Sequence, residues 1–545
     1  MTDGSRRRLA GSLVGAAALI TLVTVLSRVL GFVRWVAQAG TVGYDAVGTA
    51  YASANTVPNV LFEIVAGGAL AGALVPLLAT PLARGLRSET DRTASAALTW
   101  ALVALTPVAV LVLVLAEPVA HALAPDDAAT VELTATFLRI FALQVPLYGV
   151  GVVLSGVLQA QKRFFWPAFA PVLSTLVVLG AYGTFALTAD GRQGDPAALP
   201  DAAVAWLAWG TTAGVAAMSL PLLVPVRRSG VRLRPTFSFP DGVAARARRL
   251  AGAGVTALLA QQVAVVVTLR LAGTYGGTGT WPVFQYTQAV YLLPYAVLAV
   301  PLATSVFPRL AERAGDDDTP GFSALAAGTT RAVATLAGLG AVALVAAAPA
   351  VAAAFGRVGH GDADVVEAMG PTLTAMAPGL VGFSVLFLTT RALYALERAR
   401  SAMIAGSLAW GVAAAASFGL VVVSSGPAPD APGTLVALGT GSTVGMTAGG
   451  VAALVALRRA LGAGALAGVV RTSAAVLGGG AIACLAGRAA TDALVGPGAT
   501  LGTSVGGGLV GGLAAAGVLA LVLAVVDRRT LRAALGRRGR GRVAA

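Results

Sequence analysis

Fourteen apolar stretches alternate with short polar connections from one end of the chain to the other. They run at 11–33, 46–80, 93–116, 134–158, 166–188, 202–226, 249–273, 283–308, 324–355, 369–394, 402–424, 433–457, 472–490 and 501–526. A helix of ~20 apolar residues crosses a bilayer core. Lipid offers no partner to backbone N–H and C=O groups, so each stretch is predicted to be a transmembrane helix. The second is too long for one straight span. Its Pro58 and Gly67-Gly68 pair predict a bent or broken helix lining a cavity. The pattern therefore predicts an all-α polytopic membrane protein of about 14 transmembrane helices. Residues 1–10, MTDGSRRRLA, imitate a secretory signal. The apolar run outlasts an h-region, however, and the small-residue AQA at 37–39 follows two arginines. The expectation is a retained first span.

Charge gives the sidedness. With the N-terminus cytoplasmic, 31 of the 38 basic residues fall at cytoplasmic ends and connections, from Arg6–Arg8 through the cluster 227–249 to the tail 528–542. Arg391, Arg398 and Arg400 are counted at the cytoplasmic end of span 10. The outer side keeps Arg192, Arg357 and Arg488, with Arg34 at its edge. This asymmetry predicts both termini inside the cell. A net charge of +14 invites a nucleic-acid reading, but its one-sided placement points instead to topology and anionic membrane lipids. No nucleic-acid partner is expected.

Composition excludes other classes. The chain is 57% hydrophobic and 11% charged, with a mean hydropathy of +0.81, against about 25% charged in soluble domains. The single Cys484 excludes an internal disulfide or cysteine metal cluster. His121 and His360 both fall in predicted outer loops, and no paired intramembrane carboxylates, P-loop or G-x-S-x-G occurs in context. The acidic run Asp316–Asp318 stands beside Arg309 and Arg313 and reads as a solvated loop. An enzyme is not expected, nor a cofactor; a coupling ion, of unknown identity, stays open.

An internal repeat organises the spans. LQAQKR at 158–163 echoes LYALER at 393–398 at an offset of 235; Pro58 matches Pro294, and VPLL at 75–78 matches FPRL at 307–310. Span 7 then restarts the pattern of span 1. Parallel repeats of this kind are a recurring transporter plan, with the substrate site between lobes. The expected organisation is an N-terminal lobe at 1–226, a basic cytoplasmic linker at 227–248 and a C-terminal lobe at 249–457. Two added spans at 458–526 and a basic cytoplasmic tail at 527–545 follow. These are two pseudo-symmetric six-helix lobes plus two C-terminal helices.

The candidate site comes from charges inside the spans. Arg28, Arg139, Arg270 and Glu63 lie there, with Arg34 close by. A charge at the bilayer centre costs at least ~2.5–3.5 kcal/mol, and a cationic balance suits a phosphate or pyrophosphate held by arginine forks. Arg28 sits too deep to reach water easily and is expected to face a cavity. Arg34 reads as a rim residue or an interfacial anchor, Arg270 as either anchor or cavity residue, and Arg139 as an anchor. Glu63 either neutralises an arginine or serves ion coupling or ligand contact. The substrate-binding set is therefore Arg28, Arg34, Arg270 and Glu63. Gln261-Gln262 in span 7 lines the cavity or bonds between helices.

Several passages carry a family resemblance: SRVLGFVR at 27–34, PN at 58–59, GALAGALVP at 68–76, VLQAQKRFFWPAFAPVL at 157–173 and VLAVPLATSVFPRL at 297–310. They resemble the lipid II flippase family MurJ, also called MviN. The resemblance implies a fourteen-span fold of the multidrug/oligosaccharidyl-lipid/polysaccharide exporter superfamily in the bacterial plasma membrane. It further implies movement of undecaprenyl-pyrophosphate-linked disaccharide-pentapeptide from inner to outer leaflet by alternating access, with spans 13 and 14 forming a groove for the lipid tail. Cell-wall synthesis proteins are the partners it implies. The family's first-span arginines are kept as Arg28 and Arg34, whereas Trp35, Thr49 and Gly67 stand where its acidic residues occur. Phe62 and Glu63 replace two arginines, and Ala289 replaces the eighth-span arginine, for which Arg270 is a possible substitute. A related exporter of another lipid-linked polysaccharide precursor, or a transport-dead scaffold of wall synthesis, remain the alternative readings.

Overall fold

The computed structural model describes residues 3–65, 71–124, 127–240, 243, 255–496 and 498–528, with side chains from Leu22, Leu74 and Thr256 in the helices bordering the gaps. Gly67-Gly68, the basic residues 246–249 and the tail beyond 528 lie outside the described residues, as do the side chains of Arg6–Arg8. Every regular element among the described residues is helical. The chain divides into two compact units, Met1–Gln262 and Val263–Ala545, at a point inside the helix Val255–Leu271.

The first unit contains α1 (Asp3–Thr41), α2 (Ala46–Ile64), α3 (Ala71–Ala83), α4 (Arg87–Val114) and the short α5 (Ala116–Leu123). It continues with α6 (Ala128–Phe141), α7 (Gln144–Ala160), α8 (Phe165–Thr188), α9 (Asp201–Ser219) and α10 (Leu223–Arg228). The helix α11 (Val255–Leu271) leads into the second unit. There follow α12 (Thr280–Pro294), α13 (Val300–Gly315), α14 (Thr319–Val358), α15 (Ala363–Glu367), α16 (Met369–Met376) and α17 (Gly379–Ala395). The last four are α18 (Ala399–Ser424), α19 (Ala431–Leu461), α20 (Val469–Leu494) and α21 (Leu501–Val526).

Among the described residues, each of the fourteen apolar stretches contains helix. Twelve helices there are long and apolar enough to cross a bilayer alone, and α15–α16 with α17 make a thirteenth, bent by 52°. The second stretch is described as α2 and α3, and the break predicted at Gly67-Gly68 lies outside the described residues. Other spans are interrupted where no interruption is predicted. Span 4 breaks between α6 and α7, and span 10 between α16 and α17. Span 8 carries a π turn at Tyr295–Ala299 between Pro294 and Pro301. A proline removes one N–H and clashes with the carbonyl one turn back, and a π turn absorbs the mismatch.

Each unit closes its helices the same way. Lys162 (φ 61°) and Glu397 (φ 57°) are left-handed and end α7 and α17. The turn after each is sealed by the same bond: Arg163 N–H to Leu158 O and Arg398 N–H to Leu393 O, both 2.8 Å. Gly85 (φ 70°) and Asp317 (φ 54°) do the same after α3 and α13. The repeat offset of 235 in the sequence is thus an offset in backbone conformation.

Glycine sets the packing of the second unit. A Cβ on Gly445 or Gly449 of α19 would meet Ala409 or Ala413 of α18, and one on Gly450 would meet the backbone of Gly382 in α17. Small residues at such contacts let helix backbones approach where lipid supplies no hydrophobic drive. α20 and α21 pack on each other and on the 40-residue α14 through Gly487, Gly511 and Gly508. Their outer faces expose Leu477, Leu485, Leu513 and Leu521.

In the first unit the extended segment 231–239 is strapped along α4. The N–H groups of Arg232, Arg234 and Thr236 donate to Asp91 Oδ1 (3.1 Å), Ser95 Oγ (3.0 Å) and Thr99 Oγ1 (3.1 Å). Alternate residues of an extended chain advance ~6.6 Å and four helical residues ~6 Å, so the two ladders keep step. Trp100 Nε1 donates to Phe237 O, and Arg92 donates to Ser238.

Candidate functional site

The first unit gathers polar side chains around Tyr148. Pro58 breaks the bonding ladder of α2, and on the following turn Asn59, Phe62 and Glu63 share one helix face. Tyr148 of α7 is buried against that face. Its hydroxyl donates to Asn59 Oδ1 at 3.1 Å, and its ring lies 4.4 Å from that of Phe62. Arg34 is half-buried, with its guanidinium 5.4 Å from the Trp35 ring centre.

A buried hydrogen-bond network fixes the helix that carries Arg34. Tyr51 Oη lies 3.0 Å from Tyr182 Oη and 3.1 Å from Thr211 Oγ1, and the Tyr182 hydroxyl donates to Gln38 Oε1 at 3.1 Å. Gln38 is one turn beyond Arg34 on the same face of α1. The edges of Tyr51, Phe137 and Phe141 enclose the network. Satisfied polar groups in a low-dielectric interior rigidify their surroundings, so the rotation of α1 about Gln38 is held.

The other sequence-selected residues fall elsewhere. Arg28 is exposed on α1 among exposed Val25, Leu26 and Val29, without a hydrogen bond or ion pair among the described residues. It is six residues from Arg34 and ~120° around the helix, so the two do not share a face. Glu63 is exposed and forms no ion pair among the described residues. Arg139 pairs with Glu117 at 3.8 Å, both side chains open to the surroundings, as an interfacial anchor would. Arg270 belongs to the second unit and is exposed in the last turn of α11, before the π turn Ala272–Gly276. Gln262 is buried with Nε2 unbonded, so that group makes no interhelical bond.

Outside the spans, the Asp127 carboxylate caps α6 by accepting from the N–H and hydroxyl of Thr130. These bonds hold its pKa below the ordinary 3.8. No group of three or more His, Cys, Asp or Glu that could hold a metal ion occurs among the described residues.

Arg391, at the cytoplasmic end of span 10 by the charge count, is half-buried, with its guanidinium 3.5 Å from the Phe387 ring centre. Its Nη1 donates to Phe387 O at 3.3 Å. The available signal was an aromatic residue one turn earlier, Phe387, with a second at Phe383.

The matches to known proteins agree with this architecture. The sequence profile of the family described as "Lipid II flippase MurJ" matches residues 38–495. A relative from Burkholderia cenocepacia, named lipid II flippase MurJ, is 27% identical over 393 residues, covering 70% of this chain and 73% of its own. A probable lipid II flippase MurJ from Synechocystis sp. is 26% identical over 401 residues, 71% of this chain and 72% of its own. Among solved structures, a lipid II flippase MurJ in an inward closed conformation superposes with a TM-score of 0.71 at 17% identity, covering 94% of this chain and all of that one. An inward-facing multidrug resistance MATE family transporter of the MOP superfamily gives 0.64 at 16% identity over 84% of this chain and 98% of its own. At these identities the structures establish the fold, and the profile match over most of the chain establishes the kinship. The chain belongs to the lipid II flippase MurJ family.

Proposed function

We propose that this protein is a flippase that moves lipid II from the inner to the outer leaflet of the bacterial plasma membrane by alternating access. The observation that carries the reading is the family match over residues 38–495. It is a transporter and not an enzyme, and its partners are a lipid-linked substrate and the membrane lipids.

In this reading Arg34, half-buried on α1 one turn before Gln38, takes the anionic pyrophosphate. Arginine presents five donors in a planar fork that matches a phosphoryl group. Glu63, on the same face of α2 as Asn59, carries the opposite charge, which limits how tightly an anion is held. A transported ligand must leave as well as enter. Arg28 and Arg270 supply further cations along the headgroup's route. The lobes are 1–226 and 249–457, both termini are cytoplasmic, and contacts with cell-wall synthesis proteins belong to the same proposal.

Depleting the protein in its host tests the reading. Lipid II is expected to accumulate on the inner leaflet; unchanged precursor levels with normal walls would refute it. A second reading, export of a different polyprenyl-linked glycan, is favoured by Trp35, Thr49 and Ala289, which give three cavity positions no charge. Accumulation of that other lipid-linked glycan, with lipid II unchanged, would select it.

A further inference from the structure

The second unit holds a half-buried arginine with no carboxylate partner. Arg391 lies four residues before the end of α17, where an anchoring side chain would extend toward the helix C-terminus and water. Its side chain runs the other way. It folds back one turn, lays the guanidinium on Phe387 at 3.5 Å and donates Nη1 to Phe387 O at 3.3 Å. No carboxylate is within ion-pair distance of it among the described residues. Of five guanidinium N–H donors, that bond uses one.

The surroundings are built. Phe383, Phe387 and Arg391 are spaced by four along one face of α17. Tyr295, at the start of the π turn in span 8, meets both rings: 4.6 Å from Phe383 and 5.2 Å from Phe387. A π turn within a span frequently marks a functional position.

The repeat shows what is common and what is added. Tyr295 follows Pro294 as Asn59 follows Pro58, and Phe383 stands 235 residues after Tyr148. Each unit therefore joins the residue after its span proline to an aromatic residue of its broken span, by a hydrogen bond in one and a ring contact in the other. The position matching Arg391 in the first unit is Gly156, where a Cβ would meet Leu74 at 2.7 Å. The fold does not require a cation there; this chain has placed one in its second unit only.

We infer that Arg391, backed by Phe387 and flanked by Tyr295, forms a second anion-holding subsite, within the C-terminal unit, that takes a phosphoryl group. The inference rests on the reading of the cargo as a pyrophosphate-bearing lipid. Bulk phospholipid headgroups carry the same chemistry and are the other source of the anion.

The test uses the purified full-length chain in nanodiscs, with labelled farnesyl pyrophosphate as the probe. Wild type, Arg391→Gln and Arg391→Lys are compared, each also in an Arg34→Gln background. In phosphatidylcholine discs Arg391→Gln is expected to weaken binding on the order of tenfold or more in both backgrounds, and Arg391→Lys by less, because lysine keeps the charge and loses the fork. The thermal midpoint should stay within a degree or two of wild type. Adding phosphatidylglycerol separates the sources. If it displaces the probe from wild type and leaves Arg391→Gln unaffected, the subsite takes phospholipid headgroups; if it displaces nothing, the subsite is reserved for the carrier. Equal affinity of wild type and Arg391→Gln would overturn the inference. So would a loss that lysine fully restores and that tracks the thermal midpoint, which would make Arg391 an anchor. The binding readout needs no transport. Intact binding without flipping would sink the flippase reading alone, and flipping with equal binding would sink this inference alone.

Discussion

Replacing Thr443 by valine should destabilise the second unit by about 1–3 kcal/mol. In an unbroken helix the Gly379 N–H would donate to Ala375 O, four residues back. In span 10 that bond is missing, and the hydroxyl of Thr443 from α19 sits in its place. It accepts from Gly379 N–H at 3.2 Å and donates toward Ala375 O at 2.6 Å and Met376 O at 3.0 Å. The 52° bend between α16 and α17 thus has its freed backbone groups satisfied from outside. Valine preserves the volume and leaves a donor and an acceptor without partners. Each buried unsatisfied group costs about 1–3 kcal/mol, although hydrogen bonds between membrane helices average nearer 0.6. Pro378 has no N–H and clashes with a straightened turn, which blocks the simplest relaxation. The assay is reversible unfolding of the full-length chain in mixed micelles, with Thr443→Ser as the variant that keeps the hydroxyl. A valine variant within 0.3 kcal/mol of wild type would refute this account of the broken span.

Three further outcomes follow from the same geometry. Ser95→Ala removes the acceptor for Arg234 N–H and should loosen the strap by about 1 kcal/mol; hydrogen exchange should quicken across 231–239 with little change in global unfolding. Gly445→Leu forces a side chain into Ala413 and the backbone of α18; overpacking costs ~1–3 kcal/mol or more, so the yield of folded protein in detergent should fall sharply while Gly506→Leu, at an open position, should not lower it. Asp127→Ala deletes the cap of α6 and should cost about 0.5–1 kcal/mol at neutral pH. Because the folded-state pKa is depressed below 3.8, that stabilisation is present above the unfolded value and disappears as pH falls through the folded one. Melting curves of wild type and variant should therefore differ from pH 5 to 8 and converge in acid.

Span number and type were legible because lipid leaves one solution: ~20 apolar residues whose backbone bonds stay within the helix. The repeat was legible too, since the motif ending span 4 and its echo ending span 10 make the same left-handed turn at Lys162 and Glu397. The breaks were less visible. Ala142 and Leu143 separate α6 from α7 with nothing in their composition to announce it. The threonine that holds the second break, Thr443, is 64 residues away from Gly379. Charge counting also fails where side-chain direction matters. Arg391 is one more basic residue in sequence, and its fold-back onto Phe387 is visible only in the structure. The rotation of α1, which carries Arg34, depends on Gln38, Tyr182 and Tyr51, residues that meet only in the fold.

The measurement closest to the central claim is a leaflet assay in a strain conditionally depleted of its own lipid II flippase. The wild-type chain, Arg34→Ala and Thr443→Ser are expressed, and lipid II exposed on the outer leaflet is quantified. Wild type and Thr443→Ser should restore exposure and growth, and Arg34→Ala should leave lipid II on the inner face despite normal protein levels. Lipid II that stays inside with folded wild-type protein in the membrane would contradict the account.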